Sequence, residues 1–249
     1  MPNPPLNHIA LIIPTLNEAA NIVRLIETFQ SLPYNIHCIV ADSTSPDGTA
    51  AVVKKHFPDE QTVTVLNCDK RGRGASIVFA YRWIKQHKLS ADAIAVSDAD
   101  SSHDPKDLPK FIVALNTADV VIGRRYGPGA KIIGWPWQRR IFSRAANTLA
   151  RILLHVGITD YTNGYRLFRR NALDTLDLTE IDADGYIHLS QELLQWHRTG
   201  LTITEVPTTF VNRQRGTSNF KLKLVAESLW VIVKLAWQHH SGNRHLKRE

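Results

Sequence analysis

Short apolar segments alternate with amphipathic segments along the first half of the chain. Five apolar runs are typical of strands that are buried on both faces of a parallel sheet. They lie at residues 8–14, 36–42, 62–66, 93–96 and 119–122. Between them, apolar residues recur at helical spacing, as at Ile22, Leu25, Ile26 and Phe29. The alternation predicts an α/β fold in which helices flank a mostly parallel central sheet.

The second half of the chain has a less regular pattern. It predicts helices at 139–156 and 189–197 and an edge strand at 201–207. A last helix, 221–238, is apolar around most of its circumference but too short to span a bilayer. It is expected either to pack on the protein or to lie in a membrane interface. We expect one large domain over 1–220, then an amphipathic helix and a disordered basic tail over 221–249.

Polar side chains follow the predicted strands. They are Asn17 and Glu18, Asp42, Asp98 and Asp100, and Arg125. Ligands of parallel α/β sheets bind outside the carboxyl ends of the strands, so these side chains are expected to face one cleft.

Asp98 and Asp100 are the strongest candidates for a metal site. Residues two apart at the end of a strand point to the same side, so both carboxylates can converge on one cation. Mg²⁺ and Mn²⁺ take carboxylate oxygens and leave positions for water and substrate phosphates. The alternative is a polar turn that caps a helix beginning near Pro105.

The net charge of +7 is concentrated in one part of the chain. Residues 131–170 contain a single acid, Asp160, and eight basic residues. These are Lys131, Arg139, Arg140, Arg144, Arg151, Arg166, Arg169 and Arg170. Such a patch implies an anionic partner, either a phosphorylated substrate, a lipid surface or nucleic acid, unless the arginines form only a solvated helix face. No nucleic-acid recognition motif is present, so nucleic acid is not expected as a partner.

The cysteines and the first residues bear on the cellular compartment. Cys38 and Cys68 lie in or beside apolar runs without metal-ligand spacing and are expected to be reduced. The first eight residues have no basic segment, and the apolar run 9–13 is too short for a signal peptide. We therefore expect a cytoplasmic protein.

Seven segments together resemble a known family of enzymes. They lie at 13–18, 45–49, 98–105, 123–126, 139–147, 160–169 and 210–218. In composition and order they resemble the inverting family 2 glycosyltransferases of the GT-A fold, and among those the dolichyl-phosphate mannose synthases and related polyprenyl-phosphate glycosyltransferases. The resemblance implies that 1–220 is a GT-A type nucleotide-sugar-binding domain.

The resemblance also implies the site residues. Asp100, Arg125 and Arg139 are expected to be catalytic, and Asp98, Asp100 and Ser102 are expected to hold Mg²⁺ or Mn²⁺. The substrate-binding residues are expected to be Pro14, Thr15, Asn17, Glu18, Asp42, Asp47, Arg73, Asp98, Ala99, Asp100, Arg125, Arg139, Arg144, Arg166, Arg213 and Lys221.

The implied reaction moves a sugar, with mannose from GDP-mannose as the expected donor, to a polyprenyl or dolichyl monophosphate. Phosphate monoesters have a second pKa of ~6, so this acceptor is a nucleophile without a protein base. The alternative is a transferase that uses a hydroxyl of a polysaccharide or glycolipid and needs a base, for which Asp104, Asp160 and Asp184 are candidates. Contact with the cytosolic face of the membrane would be peripheral or supplied by a membrane-anchoring subunit.

Two positions depart from the family pattern. Ser43 stands where a second aspartate usually follows Asp42, and Asn219 stands where a lysine is usual. The first departure suggests relaxed selectivity for the nucleotide base, and the second suggests one weaker contact to the acceptor or diphosphate.

Overall fold

The computed structural model describes residues 6–70, 72–181 and 187–212. The strands are β1 (His8–Thr15), β2 (Asn35–Asp42), β3 (Val63–Asn67), β4 (Ala93–Val96), β5 (Val120–Arg124), β6 (Lys131–Ile133), β7 (Arg166–Arg169), β8 (Ile203–Pro207) and β9 (Thr209–Val211). The α-helices are α1 (Ile22–Gln30), α2 (Thr49–His56), α3 (Arg73–His87), α4 (Leu108–Ala114), α5 (Trp137–Leu154), α6 (Arg170–Asp174) and α7 (His188–Arg198). A 3-10 turn, Pro105–Asp107, leads into α4.

Seven strands form the central sheet, in the order β3-β2-β1-β4-β7-β5-β8. All neighbouring pairs are parallel except those that involve β7, which runs antiparallel to both β4 and β5. The mostly parallel α/β sheet expected from the sequence is therefore confirmed, and β8 lies at one edge of it, as predicted for 201–207. A small parallel pair, β6 with β9, was not predicted.

Both faces of the sheet are covered by helices because its central strands are apolar on both sides. On one face, Ile9, Leu11 and Ile13 of β1 pack with the apolar sides of α1, α2 and α4. On the other, Ala10 and Ile12 belong to the core that includes side chains of α3, α5, α6 and α7. Two covered faces leave the edge at the carboxyl ends of β1, β2 and β4 as the place for polar groups.

Helix α5 differs slightly from its predicted bounds. It begins at Trp137, two residues earlier than expected, and ends at Leu154 because His155 adopts a left-handed conformation with φ 52°. The His155 N–H donates to the Arg151 carbonyl and closes the last turn.

The predicted helix at 221–238 and the tail that follows it lie outside the described residues. In the part of the chain that is described, no helix has both the length and the apolar character required to cross a bilayer.

Candidate active site

The ends of β1 and β2 are joined through Asp42. This buried carboxylate accepts a hydrogen bond from the Thr15 hydroxyl at 2.7 Å. It also accepts the backbone N–H of Ser45 at 2.8 Å and its hydroxyl at 2.5 Å. Pro14 is buried within β1. Asp42 therefore fixes the turn after β2 against the end of β1.

The loop after β1 is held against the turn before α2. Backbone N–H groups of Asn17 and Glu18 donate to the hydroxyls of Ser45 and Thr49, each at 3.0 Å. Asp47 accepts the Ala19 N–H at 3.0 Å and the Thr49 hydroxyl at 2.6 Å. Asp47 is exposed, so the desolvation that would raise its pKa is outweighed by these hydrogen bonds, and the pKa of Asp47 is lowered. The structure thus brings together the predicted nucleoside-binding residues of these two loops, and their contact with a nucleoside stays a prediction.

Ser43, which stands where the family pattern usually has a second aspartate, packs against helix α3. Its side chain is buried, and its hydroxyl lies 2.7 Å from that of Ser76 in α3. Its N–H donates to the Thr15 carbonyl. The hydroxyl is therefore directed to the helix, and the relaxed selectivity for the nucleotide base stays a prediction.

Ser43→Asp is expected to lower the free energy of unfolding by about 2 kcal/mol, because it buries a carboxylate beside a neutral hydroxyl. The preference between guanosine and uridine diphosphates should not change. Chemical denaturation and competition binding measure the two effects, with Ser43→Ala as the control that removes only the hydroxyl pair. A stable variant with sharpened base discrimination would show instead that residue 43 reaches the nucleotide.

Asp98 is held in a network that the sequence did not reveal. Its Oδ1 accepts Arg73 Nε at 2.6 Å, and Arg73 Nη1 lies 3.1 Å from His188 Nε2. The Asp98 N–H donates to His103 Nδ1 at 3.1 Å, so the proton of a neutral His103 is on Nε2, which lies 3.8 Å from Asp98 Oδ2. Burial lowers the pKa of His103 despite the nearby Asp98. His103 and His188 thus position Arg73 and Asp98.

Asp100 and Ser102 provide the most suitable oxygen atoms for a metal. Asp100 is partly exposed and accepts the Ser102 N–H at 3.0 Å. The Ser102 hydroxyl is buried without a hydrogen-bond partner. Within the described residues, no group of three or more His, Cys, Asp or Glu could hold a metal by itself. This donor set fits a divalent ion that shares its ligands with a substrate diphosphate, as Mg²⁺ commonly does.

Arg125 and Asp160 form a buried ion pair. Arg125 Nε and Nη2 donate to the two Asp160 oxygens at 2.8 and 2.7 Å, and Asn147 donates to the same carboxylate at 3.2 Å. Burial alone would raise the pKa of Asp160, but Arg125 and its hydrogen bonds lower it. Asp160 is therefore an ionised counter-ion without access to an acceptor hydroxyl. The contact of Arg125 with a phosphate stays a prediction.

An aromatic cluster connects the Asp98–Asp100 turn to the start of α5. The His103 and Phe210 rings form a T-shaped pair with centroids 5.5 Å apart, and the Phe210 and Trp135 rings form another with centroids 5.1 Å apart. The guanidinium carbon of Arg139 lies 4.0 Å from the centre of the Trp135 ring, and that of Arg125 lies 5.3 Å from the same point. The pairing of β6 with β9 supports this cluster, because Trp135 follows β6 and Phe210 lies in β9. The predicted metal-diphosphate turn and the basic helix are therefore neighbours.

The expectation that Arg166 binds substrate is wrong. Its side chain is fully buried in β7 and pairs with Glu192 of α7 at 2.9 Å. It also donates to the carbonyls of Leu189, Asn163 and Tyr161. A guanidinium with these partners supports the fold beneath the cleft.

The other predicted site residues are placed as follows. Arg144 lies on α5 with its guanidinium 5.0 Å from the Tyr126 ring. Ala99 is buried between the two aspartates. Arg213 and Lys221 lie outside the described residues, as does the candidate base Asp184.

A mostly parallel α/β sheet with carboxylates at its carboxyl edge and a basic helix beside them is the arrangement that a nucleotide-sugar-dependent glycosyltransferase of the GT-A fold needs. Residues 10–177 match Glycosyl transferase family 2, and the chain belongs to that family. It is similar to a polyprenol monophosphomannose synthase of Mycolicibacterium smegmatis, with 35% identity over 92% of this chain and 87% of that protein. It is also similar to an undecaprenyl-phosphate mannosyltransferase of Micrococcus luteus, with 34% identity over 90% and 91%.

Similar solved structures support the fold. A glucosyl-3-phosphoglycerate synthase of Mycobacterium tuberculosis, crystallised with Mn²⁺, UDP and glucosyl-3-phosphoglycerate, superposes with a TM-score of 0.66 and 20% identity. The superposition covers 91% of this chain and 77% of that one. The same enzyme with phosphoglyceric acid gives a TM-score of 0.67 over 93% and 79%.

Proposed function

We propose that this enzyme transfers mannose from GDP-mannose to a polyprenyl monophosphate with inversion at the anomeric carbon. The two curated relatives support the proposal, since each aligns over about nine tenths of both chains and each is named for mannosyl transfer to a polyprenyl carrier.

The observation that carries the proposal is the contact between the carboxylate turn after β4 and the start of helix α5. Through His103, Phe210 and Trp135, the carboxylate turn is packed against Arg139. A donor diphosphate at the turn and an acceptor phosphate at the start of α5 would thus be adjacent. Arg139 is suited to a phosphate because its planar guanidinium is already held against an aromatic ring.

The chemistry needs no protein base. An oxygen of the dianionic acceptor phosphate attacks the anomeric carbon, and the bond from that carbon to the diphosphate oxygen breaks to release GDP. Arg139 would orient the acceptor and balance its charge. Asp160 keeps Arg125 neutralised beneath the cluster, so that pair supports Trp135 and Phe210.

A divalent ion, Mg²⁺ or Mn²⁺, would stabilise the negative charge that develops on the leaving diphosphate. Asp100 would hold it, with Ser102 and Asp98 as further candidates. Asp98 also neutralises Arg73, whereas Asp100 is partly exposed beside the buried Ser102 hydroxyl, so Asp100 is the better placed of the two carboxylates to hold a metal.

A hydroxyl acceptor is the second candidate function, and the described residues favour it less. It requires a base, but Asp160 is buried in an ion pair and Asp104 accepts the Lys106 N–H where it caps the 3-10 turn. Both carboxylates already have structural roles. We further propose that the enzyme works on the cytosolic face of a membrane, and a membrane-anchoring subunit remains a prediction.

Arg139→Ala is expected to lower transfer to polyprenyl phosphate about a hundredfold, while water-dependent hydrolysis of GDP-mannose changes little. The reason is that transfer uses a charged nucleophile and hydrolysis does not. Both rates can be measured with radiolabelled donor and a short, water-soluble isoprenyl phosphate.

Arg151→Ala is the matched control, because Arg151 is an exposed arginine near the other end of the same helix. It should leave both rates unchanged. An equal loss of transfer and hydrolysis in Arg139→Ala would assign the arginine to the donor diphosphate. No transfer by the wild type to any polyprenyl phosphate would reject the proposed function.

A further inference from the structure

Helix α5 has an exposed outer face that combines large apolar side chains with arginines. In the described part of the chain, seven large apolar side chains are exposed, and three of them lie on this helix. Trp137 is 68% exposed, Ile141 55% and Ile152 58%. A fourth, Ile133 at 51%, lies in the strand that leads into the helix. Exposure of this kind is concentrated here, which a merely solvated helix does not explain.

The geometry of the helix aligns these side chains. At 3.6 residues per turn, Trp137, Ile141, Arg144, Thr148, Arg151 and Ile152 fall within an arc of about 100°. All six are exposed. We call them the outer face of α5. The opposite side of the helix is packed into the core through Asn147, Ala150 and Leu154.

The positive charge of this face, and of the rest of the chain, indicates which kind of partner binds it. Helix α5 contains four arginines and no acidic residue. Residues 213–249, the segment of this chain that could fold back onto it, carry eight Lys or Arg and only two Glu. Like charges disfavour that segment as the cover, and the chain's net charge of +7 disfavours a second copy. An anionic phospholipid surface offers both the negative charge and an apolar layer.

We infer that the outer face of α5 is a membrane-docking surface for anionic phospholipid, with Trp137, Ile141 and Ile152 entering the interface. The inference rests on the proposed function for its purpose, since a polyprenyl phosphate has its phosphate at the bilayer surface. Arg139 lies in the first turn of the same helix, beside Trp135. Docking along α5 would therefore bring the helix that carries the acceptor-binding arginine to the membrane surface.

Cysteine labelling tests whether the face is open and whether lipid covers it. Both native cysteines are buried, so a single Ile141→Cys variant reports on its own position. Val113→Cys is the matched control: Val113 is 68% exposed, and α4 packs on the opposite face of the sheet. The probe is a water-soluble maleimide, with and without vesicles of equal parts phosphatidylcholine and phosphatidylglycerol.

Ile141→Cys is expected to react readily without vesicles and at least about tenfold more slowly with them, because interfacial burial excludes the reagent. Val113→Cys should react equally in both conditions. Slow labelling of Ile141→Cys without vesicles would mean that residues 213–249 or a second copy covers the face, which would overturn the inference. Fast labelling in both conditions would overturn it as well.

Activity separates this inference from the proposed function. The double variant Trp137→Ser/Ile141→Ser should bind the vesicles about a hundredfold more weakly. Each large apolar side chain that enters the interface contributes about tenfold to the affinity for the vesicles. The double variant should lose transfer to long-chain polyprenyl phosphate in vesicles but keep transfer to a soluble isoprenyl phosphate. Unchanged vesicle binding would overturn the docking surface while leaving the proposed function intact. A wild type inactive on both acceptors would reject the function, and labelling would still decide the surface.

Discussion

Asp100→Ala is expected to reduce mannosyl transfer about a thousandfold, the largest catalytic effect of a single change in this cleft. Asp100 is partly exposed at the end of the turn after β4, where it accepts the Ser102 N–H. Its removal should therefore cost little stability. The loss should appear in turnover because a divalent ion no longer offsets the charge on the departing diphosphate.

A binding measurement makes this prediction independent of activity. Mn²⁺ should increase the affinity of the wild type for GDP, and this increase should disappear in Asp100→Ala. Asp104→Asn is the matched control, because residue 104 is a nearby aspartate that caps the 3-10 turn, and asparagine can cap as well. It should keep both the Mn²⁺ effect and most of the activity. Full activity of the wild type in EDTA would remove the metal from the proposal.

Much of the fold could be predicted because its determinants are local. Apolar runs that end in polar residues marked β1, β2, β4 and β5, and the parallel arrangement follows from the helices between them. Strand β7 was harder to interpret, because Arg166 and Arg169 at its ends suggest exposure while both are buried. Its antiparallel direction depends on pairing with β4 and β5, which local sequence does not encode.

The site was predicted less completely, because it too depends on contacts between segments that are far apart in the sequence. The carboxylates at strand ends follow from the topology, whereas the aromatic cluster joins residues that are far apart in sequence. Trp135 and Phe210 meet only because two three-residue strands, β6 and β9, pair with each other. Strands that short carry no recognisable pattern. His103 and His188 were missed because a single histidine gives no signal without its partners.

Arg166 was misassigned because arginine is seldom buried and the sequence near it offers no counter-ion. Its partner Glu192 is 26 residues away, on α7. Both groups are almost fully buried, and burial raises the pKa of Glu192 even though Arg166 opposes the shift. The two residues form a buried ion pair, in which loss of one partner is costly.

Glu192→Leu is expected to lower the free energy of unfolding by about 3 to 5 kcal/mol, because it leaves a buried guanidinium that cannot lose its charge. Arg166→Met should cost less, since the remaining Glu192 can take up a proton. The double variant should recover much of the loss by replacing both charges with apolar groups. Urea denaturation of the four proteins forms the double-mutant cycle.

The two single variants should also differ in their dependence on pH. In Arg166→Met, the folded state keeps Glu192 protonated above the ordinary carboxyl pKa of 4.5, whereas the unfolded state ionises there. Its stability should therefore fall as the pH rises from about 4.5 toward the raised pKa of the folded state and then level off. Glu192→Leu has no such carboxylate and should lack this fall. Equal losses in both single variants, with no recovery in the double variant, would mean that packing around Arg166 matters more than its charge.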